Sequence, residues 1–237
     1  MTMQVLGLIP ARGGSKSIPM KNMKKLCGKP LIYYSINSAI HSKLISKVIV
    51  STDNQRIKSF SKKTGAEVPF LRPKKISQDK SSTLDVIIHA LTYLSNHESY
   101  IPDIVTLLQP TTPFRTTEMI DSSIRMLQRS NADIVLGVKI SKNHPFRSFW
   151  PKKFLQPLKK DFLKYHQRQL FPTNYYPTGE IYTFWTKNLT KFNHIYGPKI
   201  VPLISKKNQI SIDIDNPVDF FIAEQIMSNW RKLFKLS

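Results

Sequence analysis

The stretch that most constrains this chain is 5–22, reading VLGLIPARGGSKSIPMKN. Its apolar run, Val5 to Ile9, has the length and character of a buried strand. The run breaks at Pro10 into a loop carrying Gly13, Gly14, the hydroxyls of Ser15 and Ser17, and the cations Arg12, Lys16 and Lys21. Glycines let backbone N–H groups approach an anion closely, and the cationic side chains neutralise it. A polyphosphate suits such a loop. The stretch has neither the G-K-[ST] of a Walker A loop nor the spacing of the dinucleotide fingerprint. Alone, it also reads as ordinary strand-to-helix punctuation, so the rest of the chain has to decide.

Strand and helix patterns alternate from here. Leu31 to Ile40 carries apolar residues at helical spacing behind Pro30, and Lys47 to Ser51 is a second strand followed by Thr52-Asp53. A polar helix runs to about Thr64, with Gly65 as its stop. Glu67 to Phe70 reads as a short strand leading to Arg72, and Thr83 to Ser95 as a helix with Leu84, Ile87, Ile88, Leu91 and Leu94 on one face. Ile104 to Leu108 is a buried strand broken by Gln109-Pro110; a helix capped by Thr116 or Thr117 and a strand from Ala132 to Val138 follow. This alternation predicts an α/β fold with a parallel sheet covered on both faces. Ligands in such sheets lie beyond the carboxyl ends of the strands, where the glycine loop, Asp53, Arg72 and Gln109 all fall.

At 237 residues the chain suffices for one α/β domain with an appendage. No apolar run reaches the 18 or so residues of a membrane span, and Met1 leads straight into a strand without a leader pattern. The single cysteine, Cys27, fits a reducing cytoplasm. The net charge of +21 suits a polyanionic partner, but since it is spread along the whole chain it reads first as a solvated lysine-rich surface. From Lys139 the alternation lapses. No acidic residue lies between Asp133 and Asp161, and Phe146, Phe149, Trp150, Phe154 and Tyr165 crowd the region. It reads as an excursion from the sheet whose aromatics serve a subunit contact in preference to a nucleic-acid surface. The sheet resumes with Gly179 to Phe184 and Ile200 to Leu203.

Three of the 15 acidic residues fall within Asp213 to Asp219. Read as a strand, Ser211 to Asp215 puts Asp213 and Asp215 on one face, where the two carboxylates repel unless a cation lies between them. Mg²⁺ fits, because it takes oxygen ligands and bridges carboxylates to substrate phosphates. A solvated edge next to a helix N-terminus is the plain alternative. Asn216 and Pro217 read as the cap and first turn of a terminal helix with apolar positions at Phe220, Ile222, Ile226 and Trp230.

Five motifs in order, LIPARGGSKSIPMKN, STD (51–53), LLQPTTPFR (107–115), GEIY (179–182) and SIDID (211–215), resemble the acylneuraminate cytidylyltransferases over nearly the full length. Relatives that activate Kdo, legionaminic acid and pseudaminic acid share parts of the pattern. The resemblance implies a Rossmann-like nucleotidyltransferase fold over 1–237, with a protruding dimerisation element at about 140–177 and a homodimeric assembly. It implies transfer of CMP from CTP to a nonulosonic acid with release of pyrophosphate. By matched position, Arg12, Gly13, Gly14, Ser15, Lys21 and Asn22 hold the CTP phosphates and ribose; Arg72, Ser82 and Thr83 face the cytidine. Gln109 and Tyr182 line the sugar pocket, joined by Arg168 from the dimer partner, and Asp213 and Asp215 bind Mg²⁺. Arg12, Lys21 and Asp215 are the expected catalytic groups.

The chain departs from the family's Arg-Pro-Asn-Gly at 176–179, which here is Tyr176-Pro177-Thr178-Gly179 followed by Glu180. That leaves the sugar open; Glu180 either hydrogen-bonds a sugar substituent or is a strand-edge carboxylate. His89 and His97 are expected to be structural or exposed. The rival within the class is a CMP-Kdo synthetase or another sugar nucleotidyltransferase. The rival outside it is a basic nucleic-acid-binding module, which no RNP, KH or zinc-knuckle pattern supports.

Overall fold

The computed structural model describes residues 3–141, 143–160, 164–165, 167–206 and 209–229. In chain order the strands are β1 (Val5–Pro10), β2 (Lys25–Leu26), β3 (Lys29–Pro30), β4 (Lys47–Ser51), β5 (Ile104–Leu107), β6 (Ile134–Ile140), β7 (Phe149–Trp150), β8 (Gln156–Pro157), β9 (Tyr175–Trp185) and β10 (Ile200–Ile204). The helices are α1 (Leu31–Ile40), α2 (Gln55–Lys63), α3 (Thr83–Glu98), α4 (Thr117–Arg129), α5 (Asn188–Lys191) and α6 (Pro217–Ser228).

Six strands form the main sheet in the order β10-β6-β9-β5-β1-β4. β4 and β5 flank β1 in parallel, β10 runs parallel to β6, and β9 is antiparallel to both β5 and β6. The sheet is thus mostly parallel, with one reversed strand at its centre. Because the chain places β4 on one side of β1 and then β5 on the other, the order reverses at β1. A crevice opens at such a point, beyond the carboxyl ends.

Both faces are covered, as strands that are apolar on both sides require. One core packs α1, α2 and α4 against the sheet through Ile32, Ile36, Ile57, Ile120, Ile124 and Leu127. The other packs α3 through Ile87, Ala90 and Leu94, with Ile195 beside them. A smaller third core joins Ile18 of the glycine loop, Leu26, Leu31, Ile214 and the α6 residues Phe220 and Ala223. That core sets the position of the site, because it buries three apolar residues from the amino-terminal part of the chain with three from the carboxyl-terminal part.

Three expectations are corrected. Glu67 to Phe70 forms no strand, only one bridge between Ile49 and Glu67, since Pro69 has no N–H to extend a ladder. Ser211 to Asp215 is not a strand either; it crosses the carboxyl end of the sheet instead of joining it, held by Ile214 N–H to the Thr111 carbonyl at 2.9 Å. Burial still alternates: Ile214 is buried while Asp213 and Asp215 face outward. In α6 the buried residues are Phe220 and Ala223, whereas Ile222 is exposed; Trp230 lies outside the described residues. Asn216 does cap α6, in a capping box with Asp219. Among the described residues, no helix is long and apolar enough to cross a membrane.

Candidate active site

A cleft of about 330 Å³ lies at the carboxyl end of β1, lined by the glycine loop on one wall and by Asp213 and Asp215 on the other. The two walls are tied directly. Lys21 Nζ donates to the Ile214 carbonyl at 2.6 Å and sits 3.6 Å from Asp215 Oδ1. Ser17 Oγ donates to the Asp215 carbonyl at 2.5 Å. With Ile18 and Ile214 in the same small core, polar and apolar contacts alternate along both segments and hold them face to face.

The loop itself is built for an anion. Gly14 and Ser15 N–H groups have no acceptor among the described residues, and a Cβ at Gly14 would meet open space. Gly13 differs from expectation. It does not line the cleft; its N–H goes to Asp53 Oδ1 at 2.8 Å, and a Cβ there would lie 2.8 Å from Asn54 Nδ2. Its place is set by close approach to the end of β4. Asn22, buried, donates from Nδ2 to the Arg12 carbonyl at 2.9 Å and so fixes the backbone from which Arg12 projects.

Arg72 lies almost buried against the same cleft, with Nε and one terminal nitrogen lacking any hydrogen-bond partner. Burial lowers its pKa, Asp53 opposes that, and Arg12 adds to it. A desolvated guanidinium with spare donors is costly unless a ligand supplies acceptors. Thr83, which opens α3, also lines the cleft, and Ser82 caps that helix by accepting from the Leu84 N–H at 3.1 Å. An adjoining recess of about 310 Å³ is lined by Ser82, Thr83, Gln109, Tyr182 and Tyr196. Thr83 and Gln109 belong to both hollows. Burial pushes the Tyr182 hydroxyl up to about 12, and as a phenol it is a hydrogen-bond donor at neutral pH. Arg168 opens a short 3-10 turn, Arg168–Leu170, in the excursion; its side chain is outside the described part of the structure.

The carboxylate pair fits a divalent cation. Partial desolvation at the cleft wall raises the Asp213 pKa, a hydrogen bond from Thr111 opposes this, and the Asp215 charge raises it further. A dication shared with substrate oxygens relieves both penalties. Among the described residues, no group of three or more His, Cys, Asp or Glu converges, so the pair needs phosphate oxygens to complete a coordination shell.

A family model described as cytidylyltransferase matches residues 6–226. The chain belongs to the cytidylyltransferase family. It is 31% identical over 233 residues to the CMP-N,N'-diacetyllegionaminic acid synthase of Legionella pneumophila, covering 95% of this chain and 97% of that one. It is also 31% identical over 233 residues to the N-acylneuraminate cytidylyltransferase of Escherichia coli. The alignment takes in 94% of this chain but 52% of that protein, so the chain spans about half the length of this relative. Among solved structures, a CMP:2-keto-3-deoxy-manno-octonic acid synthetase complexed with CTP shares the fold. Its TM-score is 0.70 at 14% identity, over 96% of this chain and 99% of that one.

Within this cytidylyltransferase, several residues that sequence reading passed over shape the site. Arg115 ends the LLQPTTPFR motif, buried, and its fork donates to the Gln109 carbonyl (2.6 Å), Thr112 Oγ1 (2.6 Å), Ser35 Oγ (2.9 Å) and the Glu180 carbonyl (2.5 Å). Burial pushes its pKa down to about 10 against the charges of Glu180 and Asp213. An arginine following two threonines and a proline is visible in sequence, but its four partners are not. Asp53 was noted in STD yet given no role; it anchors Gly13. Asp79, in a loop with no motif, pairs with Arg12 and Lys16.

Glu180 answers neither expectation. It is fully buried in the central strand and lines neither hollow, and both carboxyl oxygens lack a hydrogen-bond partner. Burial raises its pKa, while Thr178, Arg115, Ser211 and Lys139 offset part of that. His89 packs edge-on against Phe70 with ring centroids 4.7 Å apart, and His97 stacks on Tyr93 at 4.1 Å. His89 is thus packed and His97 exposed, within the expectation that both are structural or exposed.

Proposed function

We propose that this cytidylyltransferase transfers CMP from CTP to the anomeric hydroxyl of a nonulosonic acid, such as N-acetylneuraminic acid or a bacterial analogue, and releases pyrophosphate. The observation that carries the reading is the single cleft in which the glycine loop faces Asp213 and Asp215 across the Lys21 and Ser17 ties. The named relatives act on sugar acids of this class.

The residues divide the work by position. Arg12 and Lys21 supply fixed positive charge at the triphosphate, and the Gly14 and Ser15 N–H groups point donors at its oxygens. The spare donors of Arg72 meet the acceptor edge of cytosine. The sugar acid occupies the adjoining recess, with the Tyr182 hydroxyl donating and Gln109 reaching both ligands from the wall they share. There the sugar hydroxyl oxygen attacks the α-phosphorus and its proton passes to a cleft carboxylate, Asp213 or Asp215, while the bond to the β-phosphate bridging oxygen breaks and pyrophosphate leaves. Charge builds on phosphoryl oxygens, so positioning and neutralisation dominate the catalysis. Asp213 and Asp215 would hold Mg²⁺, which when bound supplies positive charge to the phosphates. Lys21 lies 3.6 Å from Asp215 Oδ1 and so orients that carboxylate.

The basic, aromatic excursion supports a homodimer in which Arg168 completes the partner's sugar pocket. One cysteine and a substrate set of free nucleotide and sugar acid support a cytoplasmic setting.

The test is pyrophosphate release, measured with each of four nucleoside triphosphates against a panel of sugar acids that includes Kdo. Release with CTP and a nonulosonic acid, abolished by Asp215→Asn with an unchanged circular dichroism spectrum, is the expected result. Preference for Kdo would move the assignment to the synthetase alternative. Turnover by Asp215→Asn in excess Mg²⁺ would remove the aspartate's metal role.

A further inference from the structure

The cleft wall already presents an anion to the glycine loop, and that anion belongs to the protein. Asp79 sits in a tight turn of the 74–82 loop, where Gln78 N–H donates to Ser81 Oγ at 2.9 Å and Ser81 N–H returns to the Gln78 carbonyl at 3.1 Å. From there the carboxylate reaches across the cleft mouth and spends one oxygen on each of two cations. Oδ1 accepts from Arg12 at 2.5 Å and Oδ2 lies 2.8 Å from Lys16 Nζ. The hydrogen bonds from Lys16 and Arg12 hold its pKa below the ordinary carboxylate value, so it is charged at neutral pH. A planar anion bridging two cations has the charge and the hydrogen-bonding pattern of one phosphate group. Asp79 and Arg12 both line the cleft, so a phosphate chain seated on the loop and this carboxylate compete for the same donors.

We propose that Asp79 is a resident counter-anion of the polyphosphate site. It holds Arg12 and Lys16 in the free protein, yields them to the β- and γ-phosphates of the incoming nucleotide, and takes them back as pyrophosphate departs. The inference rests on the nucleotide reading above. Its physical basis is charge balance. Withdrawing pyrophosphate leaves two neighbouring cations uncompensated, and a carboxylate on an exposed surface turn restores the balance without waiting for solvent ions. The same competition weakens entry of the triphosphate. It leaves untouched a ligand that carries only an α-phosphate, because such a ligand does not contest these donors. Asp79 therefore sets how tightly the site grips ligands with terminal phosphates, and thereby limits product inhibition.

The full chain is titrated calorimetrically with pyrophosphate, CTP and CMP at one fixed Mg²⁺ concentration, as wild type, Asp79→Asn and Asp79→Glu. Exposed ion pairs of this kind are weak, so Asp79→Asn should bind pyrophosphate and CTP roughly threefold to tenfold tighter. CMP affinity should stay constant, Asp79→Glu should match wild type, and pyrophosphate inhibition of turnover should sharpen by the same factor. Equal or weaker pyrophosphate binding by Asp79→Asn would overturn the proposal, showing that the carboxylate only orients Arg12. So would a gain for CMP as large as that for pyrophosphate. An Arg12→Ala control separates the two levels. If it loses CTP while Asp79→Asn changes nothing, the counter-anion role falls and the nucleotide site stands. A folded wild type that binds neither CTP nor pyrophosphate would remove both.

Discussion

Gly179 shows how much a single residue without a side chain can decide here. It sits inside β9 with φ of +76°, a left-handed conformation that suits glycine in the middle of a strand. A Cβ at this position would lie 3.2 Å from Asp213 Oδ2 and 3.3 Å from Gln109 Oε1. The same atom position thus touches the proposed metal carboxylate and the residue shared by both hollows. Gly179→Ala should cost about 1–3 kcal/mol of stability from backbone strain alone. It should also lower kcat more than the stability loss explains, because Asp213 must move. Thermal unfolding read beside steady-state kinetics checks both effects, and wild-type kcat would show that Asp213 tolerates the displacement. The GEIY motif pointed to this glycine but not to its reason, since the left-handed turn falls where the pairing of β9 with β6 shifts register between Leu136 and Val138.

At the scale of elements, the loops beyond the strands matter more than the strands. The loop after β5 is held open by Arg115, which binds the Gln109 carbonyl on one side and the Glu180 carbonyl on the other. One buried guanidinium therefore links β5's exit to β9 and to Ser35 of α1. Lysine carries the charge but presents no planar fork, so Arg115→Lys should leave acceptors unpaired in the interior. The expected loss is roughly 3–5 kcal/mol, seen as a lower denaturant midpoint. The change should weaken sugar binding through Gln109 while sparing CTP affinity in whatever fraction remains folded. An unchanged midpoint would show that water replaces the fork. Helix positions, by contrast, were legible from the sequence: Gly65 stops α2 with φ of +100°, and Asn216 and Thr116 cap their helices as read. Caps and glycine stops act within one turn of chain, so local sequence is enough to place them.

Over the whole molecule, many of the exposed large apolar side chains among the described residues lie in the excursion and its return. Trp150, Phe154, Leu155, Leu170 and Tyr176 are all exposed in the excursion and its return, with Phe154 at 78%. The excursion has its own aromatic cluster, with Phe146 stacked on Tyr165 at 5.1 Å and Phe171 edge-on to both. Side chains of this kind left in water favour association, and the surrounding lysines keep that association specific. The double substitution Trp150→Glu, Phe154→Glu should convert a dimer to a monomer in sedimentation velocity while the cleft still binds CTP. A wild-type monomer would discard the dimer and with it the trans role of Arg168.

The sequence alone determined what is local or carried by periodicity: the alternation of strands and helices, the caps, the glycine loop and the residue types that suit a nucleotide and a metal. Hydrophobic period and turn chemistry are properties of neighbouring residues, so one chain displays them. Tertiary structure alone decided which of those residues meet. It put the reversed β9 between β5 and β6, drew Asp213 and Asp215 off the sheet onto the cleft wall, and turned Gly13 toward Asp53. It also buried Glu180 and set Asp79 on Arg12. These outcomes depend on segments far apart in the chain, which the strand order around β1 and the shared core of Ile18 and Ile214 bring together.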